Sequence, residues 1–419
     1  MAGPRRIVAT ACIATAALTL SACGSSSPEL IVADNVMRAV VQVDAHPEAV
    51  ASLRDSSFRL GAAMLAANPN DNSVTSPVSA LYALSMLRTG AATTTAAEMD
   101  EVLGLPAAHR DEAMNALLGL WEQYDGDPGS VDEEDPPAAP LLHLANGMFI
   151  DRGQPVGAEF LETLAVQYGS GVYQVNYSDR STAEAINSWI NENTGGRIEE
   201  APVDYDPDTR LSLLNTVYLA AAWQTPFDPA ETTPGPFTLT DGGVVETDMM
   251  RQVALANYAS GDGWTALDLP YNDGLYLRLV LPDEGESPVL AAKQLAEVRV
   301  GMESGAQAEV ALVLPKWDHT YHQDLLALLR GMGLTETLGT APDFGPISPG
   351  LFVSGAAQEA NITVAEKGTI AAAVTQIDMA ESGLSMPDVE LVLDRPFQYQ
   401  IIHGETGMPL FLGTVMDPR

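Results

Sequence analysis

Glu366-Lys367-Gly368-Thr369-Ile370-Ala371-Ala372-Ala373-Val374-Thr375 is the stretch on which the reading of this chain turns. About ten residues of mixed character follow it, with no proline before Pro387. A strand sends alternate side chains to opposite faces. In that conformation one set is Thr369, Ala371, Ala373, Thr375, Ile377 and Met379, all small or apolar and none charged. The other set is Ile370, Ala372, Val374, Gln376, Asp378 and Ala380, which carries the polar Gln376 and Asp378. The first face suits the middle of a sheet, and the second can look outward. Gly368 gives the backbone freedom to bend at the start.

Outward from this segment, strands dominate the second half of the chain. Leu211 to Trp223, Val310 to Trp317 and Leu351 to Val364 are long apolar or alternating runs. Leu267 to Leu281 reads as a hairpin around Asn272-Asp273-Gly274, and Gln398 to Val415 as another turning at Gly404 to Gly407. Helices crowd the first half. From about Pro47 the pattern is helical, with Phe58, Gly61, Ala62 and Leu65 on one stripe. Ser76 is a good N-cap and Pro77 fits the first helical position, opening a helix apolar nearly all round that Gly90 stops. Thr95 with Glu98, and Ser181 with Glu184, have capping-box spacing. His143 to Ile150 reads as a strand and Ala158 to Tyr168 as a helix. Residues 124 to 140, acidic and rich in Pro and Gly, read as a solvated loop within one domain. The pattern predicts an α+β fold with large antiparallel or mixed sheets.

The first residues read as a targeting segment. Arg5 and Arg6 precede an uncharged apolar run from Ile7 to Leu20, too short for a comfortable membrane span of ~20 residues. It ends in Leu20-Ser21-Ala22-Cys23, then Gly24-Ser25-Ser26-Ser27, which resembles a bacterial lipobox cut before a cysteine that becomes diacylated. An ordinary signal peptide cut nearby is the alternative. The only other cysteine, Cys12, lies in the part removed, so no intramolecular disulfide is expected. The expected plan is a signal segment over 1–22, a tether over 23–45 and one domain over 46–419. The expected location is extracytoplasmic, anchored to the cell membrane by lipid on Cys23, or secreted. The formal net charge is -36, a field that repels nucleic-acid backbones, so no nucleic-acid partner is expected.

Enzyme chemistry has little support. There is no Gly-x-Ser-x-Gly elbow, no phosphate-binding glycine loop and no cysteine pair for a metal. His319 and His322 follow a strand-like run beside Asp318, but their spacing matches no common ligand signature; they read as exposed polar residues near a helix start. No metal and no cofactor are called for.

The hinge-like pattern Glu-x-Gly-Thr-x-Ala-Ala-Ala-x-Thr at Glu366 to Thr375 resembles the reactive-loop hinge of an inhibitory serpin. Other fragments agree in order: Asn72 to Ser79 resembles the N-x-x-x-S-P-x-S helix start, and Ala145 to Phe149 the A-N-x-x-F strand. Asn215 to Tyr218 with Trp223 and Phe227, Leu269-Pro270-Tyr271, Leu281-Pro282, Leu314-Pro315-Lys316, Arg395-Pro396-Phe397 and Leu410 to Gly413 match further landmarks. The resemblance spans about residue 50 to the C-terminus.

It implies an inhibitor, not an enzyme. A protease cuts a bait loop at about 366–387 and forms an acyl-enzyme, and the cut loop then inserts as a central strand of the large sheet. Fifteen residues from Gly368 to Ser382 span at most ~50 Å. Pairing about a dozen backbone units at ~1 kcal/mol each gains on the order of 10 kcal/mol, so the uncut form is expected to be held by kinetics. The implied hinge is Glu366, Gly368, Thr369, Ala371, Ala372, Ala373 and Thr375. The implied shutter beneath the sheet opening is Ser76, Ser79, Asn215 and Gln358. Three departures from the family pattern stand out: Ile370 where a charge is usual, Gln358 where His is common, and a loop about three residues long in excess. Gln358 can still hydrogen-bond Ser76 or Asn215. The excess length blurs the cut. Counting from the hinge gives Ser382-Gly383; counting back from Pro396 gives Ser385-Met386, with Leu384-Ser385 between. No Arg or Lys lies in the window, so the expected partner is a serine or cysteine protease preferring small or apolar residues, met by a monomer. The rival readings are a non-inhibitory serpin acting as a binding or chaperone module, and a solute-binding lipoprotein with two α/β lobes.

Overall fold

The computed structural model describes residues 28–132, 135–200, 207–369 and 386–419. Among these lie eight α-helices: α1 (Pro47–Ala66), α2 (Pro77–Thr89), α3 (Thr93–Leu103), α4 (Arg110–Trp121), α5 (Ala158–Thr163), α6 (Ser181–Asn193), α7 (Ala292–Glu303) and α8 (Leu325–Met332). Strands β1 to β16, numbered along the chain, form two sheets. The seven-stranded sheet has the order β1 (Glu29–Ile31), β4 (Val172–Val175), β3 (Leu141–Asp151), β5 (Leu211–Ala222), β13 (Gly368–Thr369), β12 (Gly355–Ala365) and β11 (Trp317–Asp324). The nine-stranded sheet follows the path β14 (Val389–Val392), β10 (Ala306–Pro315), β7 (Val244–Gly261), β8 (Trp264–Pro270), β9 (Leu275–Pro282), β15 (Phe397–His403), β16 (Met408–Val415) and β2 (Ser73–Thr75), with β6 (Thr233–Thr238) paired to β7.

The α+β expectation holds, and the sheets are mixed: β5 with β12, β3 with β4, and β10 with β14 run parallel. Two α/β lobes are not what this chain forms. Both expected hairpins are present, β8–β9 around Asn272–Gly274 and β15–β16 around 404–407.

Helix α2 explains how the sheets meet. Ser76 is extended and its Oγ accepts the Ser79 N–H at 3.4 Å, while Pro77 supplies the first turn. Every residue from Pro77 to Leu87 is buried. A helix without a wet face must be enclosed, and α2 packs on β3 and β5 of one sheet and on β16 of the other.

Three local expectations are corrected. The Thr95–Glu98 box does not form, because α3 starts at Thr93 and Glu98 is used elsewhere. Its carboxylate accepts the N–H groups of Thr335, Glu336 and Thr337 and the hydroxyls of Thr335 and Thr337, at 2.6 to 3.1 Å. Partial burial opposes ionisation, but these bonds outweigh it and hold the carboxyl at about 2. Nor does α6 use Ser181 with Glu184; the Asp179 carboxylate accepts the Ser181 N–H at 3.0 Å. Finally, much of the expected tether is docked. β1 pairs with the edge strand β4, Ala39 N–H donates to the Val166 carbonyl at 2.8 Å, and Arg38 meets Glu122 at 2.6 Å. A three-residue strand has too little periodicity to be read from sequence.

Candidate functional site

The large sheet is a wedge. β5 and β12 pair in parallel where Ser212–Val217 faces Gly355–Ala360. Beyond Val217 they part, and β13 occupies the mouth, antiparallel to both. Thr369 lies opposite Ala221 and Val364, and Gly368 opposite Ala222 and Ala365. Glu366 and Lys367 make the turn that folds β13 back from β12.

Each residue at the mouth has a reason for its type. A Cβ on Gly368 would overlap the Ala221 carbonyl oxygen and lie 2.9 Å from the Ala222 Cα, so only glycine fits there. Thr369 is buried, and its hydroxyl meets the Tyr271 hydroxyl. Tyr271 stacks on Trp223 at 4.3 Å and 9°, and burial pushes its phenol well above the ordinary range. The Trp223 ring N–H donates to the Ala365 carbonyl at 2.8 Å and its backbone N–H to Lys367 at 2.9 Å. The Glu366 carboxylate accepts the Thr232 hydroxyl at 3.0 Å and lies 3.1 Å from Lys316 Nζ. The Phe227 N–H reaches the Glu366 carbonyl at 2.8 Å.

At the closed part of the wedge the structure brings together Ser76, Ser79, Asn215 and Gln358, all buried. Gln358 and Asn215 are partners across the β5–β12 ladder. Gln358 Oε1 accepts from Ser76 N at 2.7 Å and Thr75 Oγ1 at 2.6 Å. Its Nε2 donates to the Ser76 carbonyl at 2.8 Å and to Asn215 Oδ1. Asn215 Nδ2 donates to Ser79 Oγ and Asn146 Oδ1. A buried polar cluster is stable only when its members satisfy one another, and glutamine, with a donor and an acceptor on one planar head, serves both here.

Sequence reasoning missed Thr75, Asn146 and Tyr271 at these two places. Tyr271 and Asn146 stood inside quoted motifs, but nothing local marks a side chain that meets a strand more than sixty residues away. Ala371, Ala372, Ala373, Thr375, Ser382, Gly383, Leu384 and Ser385 lie outside the described residues, as does Cys23. Met386 is described and is 90% exposed. The histidine pair is corrected: His319 and His322 sit within β11, three apart and therefore on opposite faces. His319 Nε2 is 3.2 Å from the Asp417 carbonyl and buried, and His322 Nδ1 is 2.8 Å from Glu359 Oε1. Among the described residues no group of three or more ligating side chains could hold a metal.

Residues 51–418 match the family described as serpin (serine protease inhibitor). Serpin-Z1C of Triticum aestivum is 30% identical over 379 residues, covering 85% of this chain and 93% of that protein. The native-state structure of the thermophilic serpin tengpin superposes with a TM-score of 0.81 at 23% identity, over 94% of this chain and all (100%) of that one, a likeness of fold. Thyroxine-binding globulin in complex with thyroxine gives a TM-score of 0.74 at 27% identity, over 88% of this chain and 99% of that one. With a family match over nearly the whole folded part and a fold shared along its length, the chain belongs to the serpin family.

Proposed function

We propose that this protein is an inhibitory serpin that acts at the outer face of a membrane, anchored by lipid on Cys23, and traps proteases of small or apolar specificity as acyl-enzymes. The single observation that carries the reading is the seat of Gly368 and Thr369 between β5 and β12. On insertion, the register of Gly368 and Thr369 would bring Ala371 opposite Leu219 and Ile362, Ala373 opposite Val217 and Ala360, and Thr375 opposite Asn215 and Gln358. Leu219, Val217, Ile362 and Ala360 belong to the main core, so the small, uncharged set of the hinge enters the side that demands it.

In the reaction the protease's nucleophilic oxygen, or sulfur in a cysteine protease, attacks the carbonyl before the cut, within the 382–386 window. The carbonyl carbon forms an ester, or a thioester, with the enzyme, and the amine of the next residue leaves with a proton. Insertion then competes with hydrolysis of that ester. To admit the strand, the sheet must separate β5 from β12 over Ser212–Val217 and Gly355–Ala360, including the bond from Gln358 to Asn215. The polar cluster therefore serves as the shutter, and the mouth as the entry point.

Family membership alone leaves a non-inhibitory role open, since thyroxine-binding globulin shares the fold. The unobstructed hinge favours inhibition. Incubation with a panel of serine and cysteine proteases, read on a denaturing gel, tests it: a stable covalent complex with at least one is expected, and cleavage without complex throughout refutes it. Cys23→Ser should move the protein from the membrane to the soluble fraction; retention with lipid label would refute the anchor.

A further inference from the structure

Strand pairing fixes where the N-terminal segment leaves the domain. At the closed end of the large sheet one row crosses Glu29, Gln174, Ile150 and Leu211. At the open end another crosses Ala221, Thr369 and Val364. Ten residues of β5 separate the rows, about 33 Å. β1 runs toward the open end, because Glu29 pairs with Gln174 and Ile31 with Val172. The chain before Glu29 therefore departs at the closed end. Cys23 is six residues back, at most about 20 Å of extended chain.

On the loop-insertion reading, the inserted loop would travel to that same end. In the register set by Thr369, Met379 would reach the row of Leu211, and a bond after Ser382 would lie three residues past it. From β1 to the inserted strand is four spacings along β1-β4-β3-β5-β13, about 19 Å. A ~200-residue protease is on the order of 40 Å across. An anchor of about 20 Å leaves no room for it between the domain and a membrane.

We propose that the anchor and the trapped protease share one pole, and that the docked segment 28–45 is a leash of two lengths that peels away when a protease is trapped at a membrane. The inference rests on the loop-insertion reading and on the lipid anchor at Cys23. Docked, the segment leaves about 20 Å of chain and turns the open end of the sheet, where Thr369 sits, away from the membrane; released as far as Pro47 it offers 24 residues, about 80 Å. Its hold is shallow, as a releasable part requires. Three residue pairs join β1 to β4, the Ala39 hydrogen bond and the Arg38–Glu122 ion pair add to them, yet no residue from 28 to 45 is buried, and Met37 and Val40 are 87% and 85% exposed.

The test clamps the leash. Glu29 and Gln174 are cross-strand partners, so Glu29→Cys with Gln174→Cys places a disulfide between β1 and β4. The chain from Cys23 onward, oxidised first, is then coupled through the Cys23 thiol to maleimide lipid in phosphatidylcholine vesicles. The number of inhibitor molecules consumed per protease trapped is measured on vesicles and in free solution, with a protease that the parent traps. The clamped, vesicle-bound chain should consume several-fold more than the same chain in solution, and a reductant should restore it. Equal trapping on vesicles and in solution overturns the proposal. So does a clamp that impairs trapping in solution, since the obstacle would then not be the membrane. If the unclamped parent traps nothing in solution, loop insertion itself has failed and the leash falls with it.

Discussion

Thr369→Arg strikes the mouth of the sheet. Thr369 is 1% exposed, lies between Ala221 and Val364, and its hydroxyl meets Tyr271. No acidic side chain is among those partners, so a guanidinium there would be buried without a counter-charge. An uncompensated buried charge costs about 3–5 kcal/mol. The variant hinge should leave its seat in the uncut protein and face that cost on re-entry. With about 3 kcal/mol on the insertion barrier, insertion slows ~100-fold. Hydrolysis of the acyl-enzyme is set by the protease's own site and should not change, so the outcome tips from trap to substrate. Consumption of inhibitor per protease should rise at least tenfold, with cleavage at the same bond and little gel-stable complex. Ile370→Arg, on the opposite face by strand alternation, should do much less. Cutting should also raise the parent's melting temperature markedly and the Thr369→Arg variant's less. If Thr369→Arg traps as well as the parent, insertion from this mouth is not how the protein works.

Gln358→Ala would strip hydrogen bonds from Ser76 N–H and C=O, the Thr75 hydroxyl and Asn215 Oδ1. At about 1–3 kcal/mol per orphaned buried group, part of it relieved by water, roughly 3 kcal/mol should be lost, and an unchanged denaturant midpoint would count against the cluster as a fastening. Burial raises the Glu359 carboxyl to about 8, and His322, also lowered first by burial, faces it at 2.8 Å. The unfolded chain releases that proton near pH 4–5, so between roughly pH 5 and 8 only the folded state holds it, and stability falls as pH rises. Glu359→Gln should remove about 3 kcal/mol of that fall in stability between pH 5.5 and 8.5, and identical pH profiles for the two proteins would contradict it. Mass spectrometry of the released C-terminal peptide should find it beginning between Gly383 and Pro387; a trapped complex cut well outside that window refutes the register.

What the sequence made legible was local. The Ser76-Pro77 cap of an all-apolar helix and the turn at Asn272–Gly274 each depend on neighbours along the chain, and each led to the right element. The misreadings share the opposite property. Glu98 has capping-box spacing from Thr95, yet its carboxylate meets Thr335 to Thr337, more than two hundred residues on. Docking of β1 depends on an edge of β4 that only folding creates. At the candidate site, Gln358 with Ser76 and Asn215 was accessible through resemblance, whereas the Tyr271 ring against Trp223 and Thr369 needed three separate strands to be assembled first.

The tight seat of Gly368 carries a consequence for the lineage of this gene. Every single-base change that replaces this glycine introduces a Cβ or ends the chain, and a Cβ there collides with the backbone of β5. Drift at this codon is closed by sterics alone, whichever protease is present in the surroundings. The small set Ala371, Ala373 and Thr375 answers to the sheet it must enter, whereas residues 382–386 answer to the protease that reads them and can diversify as targets change. A comparison of strains should therefore find substitutions accumulating toward residue 386 and none at 368, where a single carbonyl oxygen leaves no space for a Cβ.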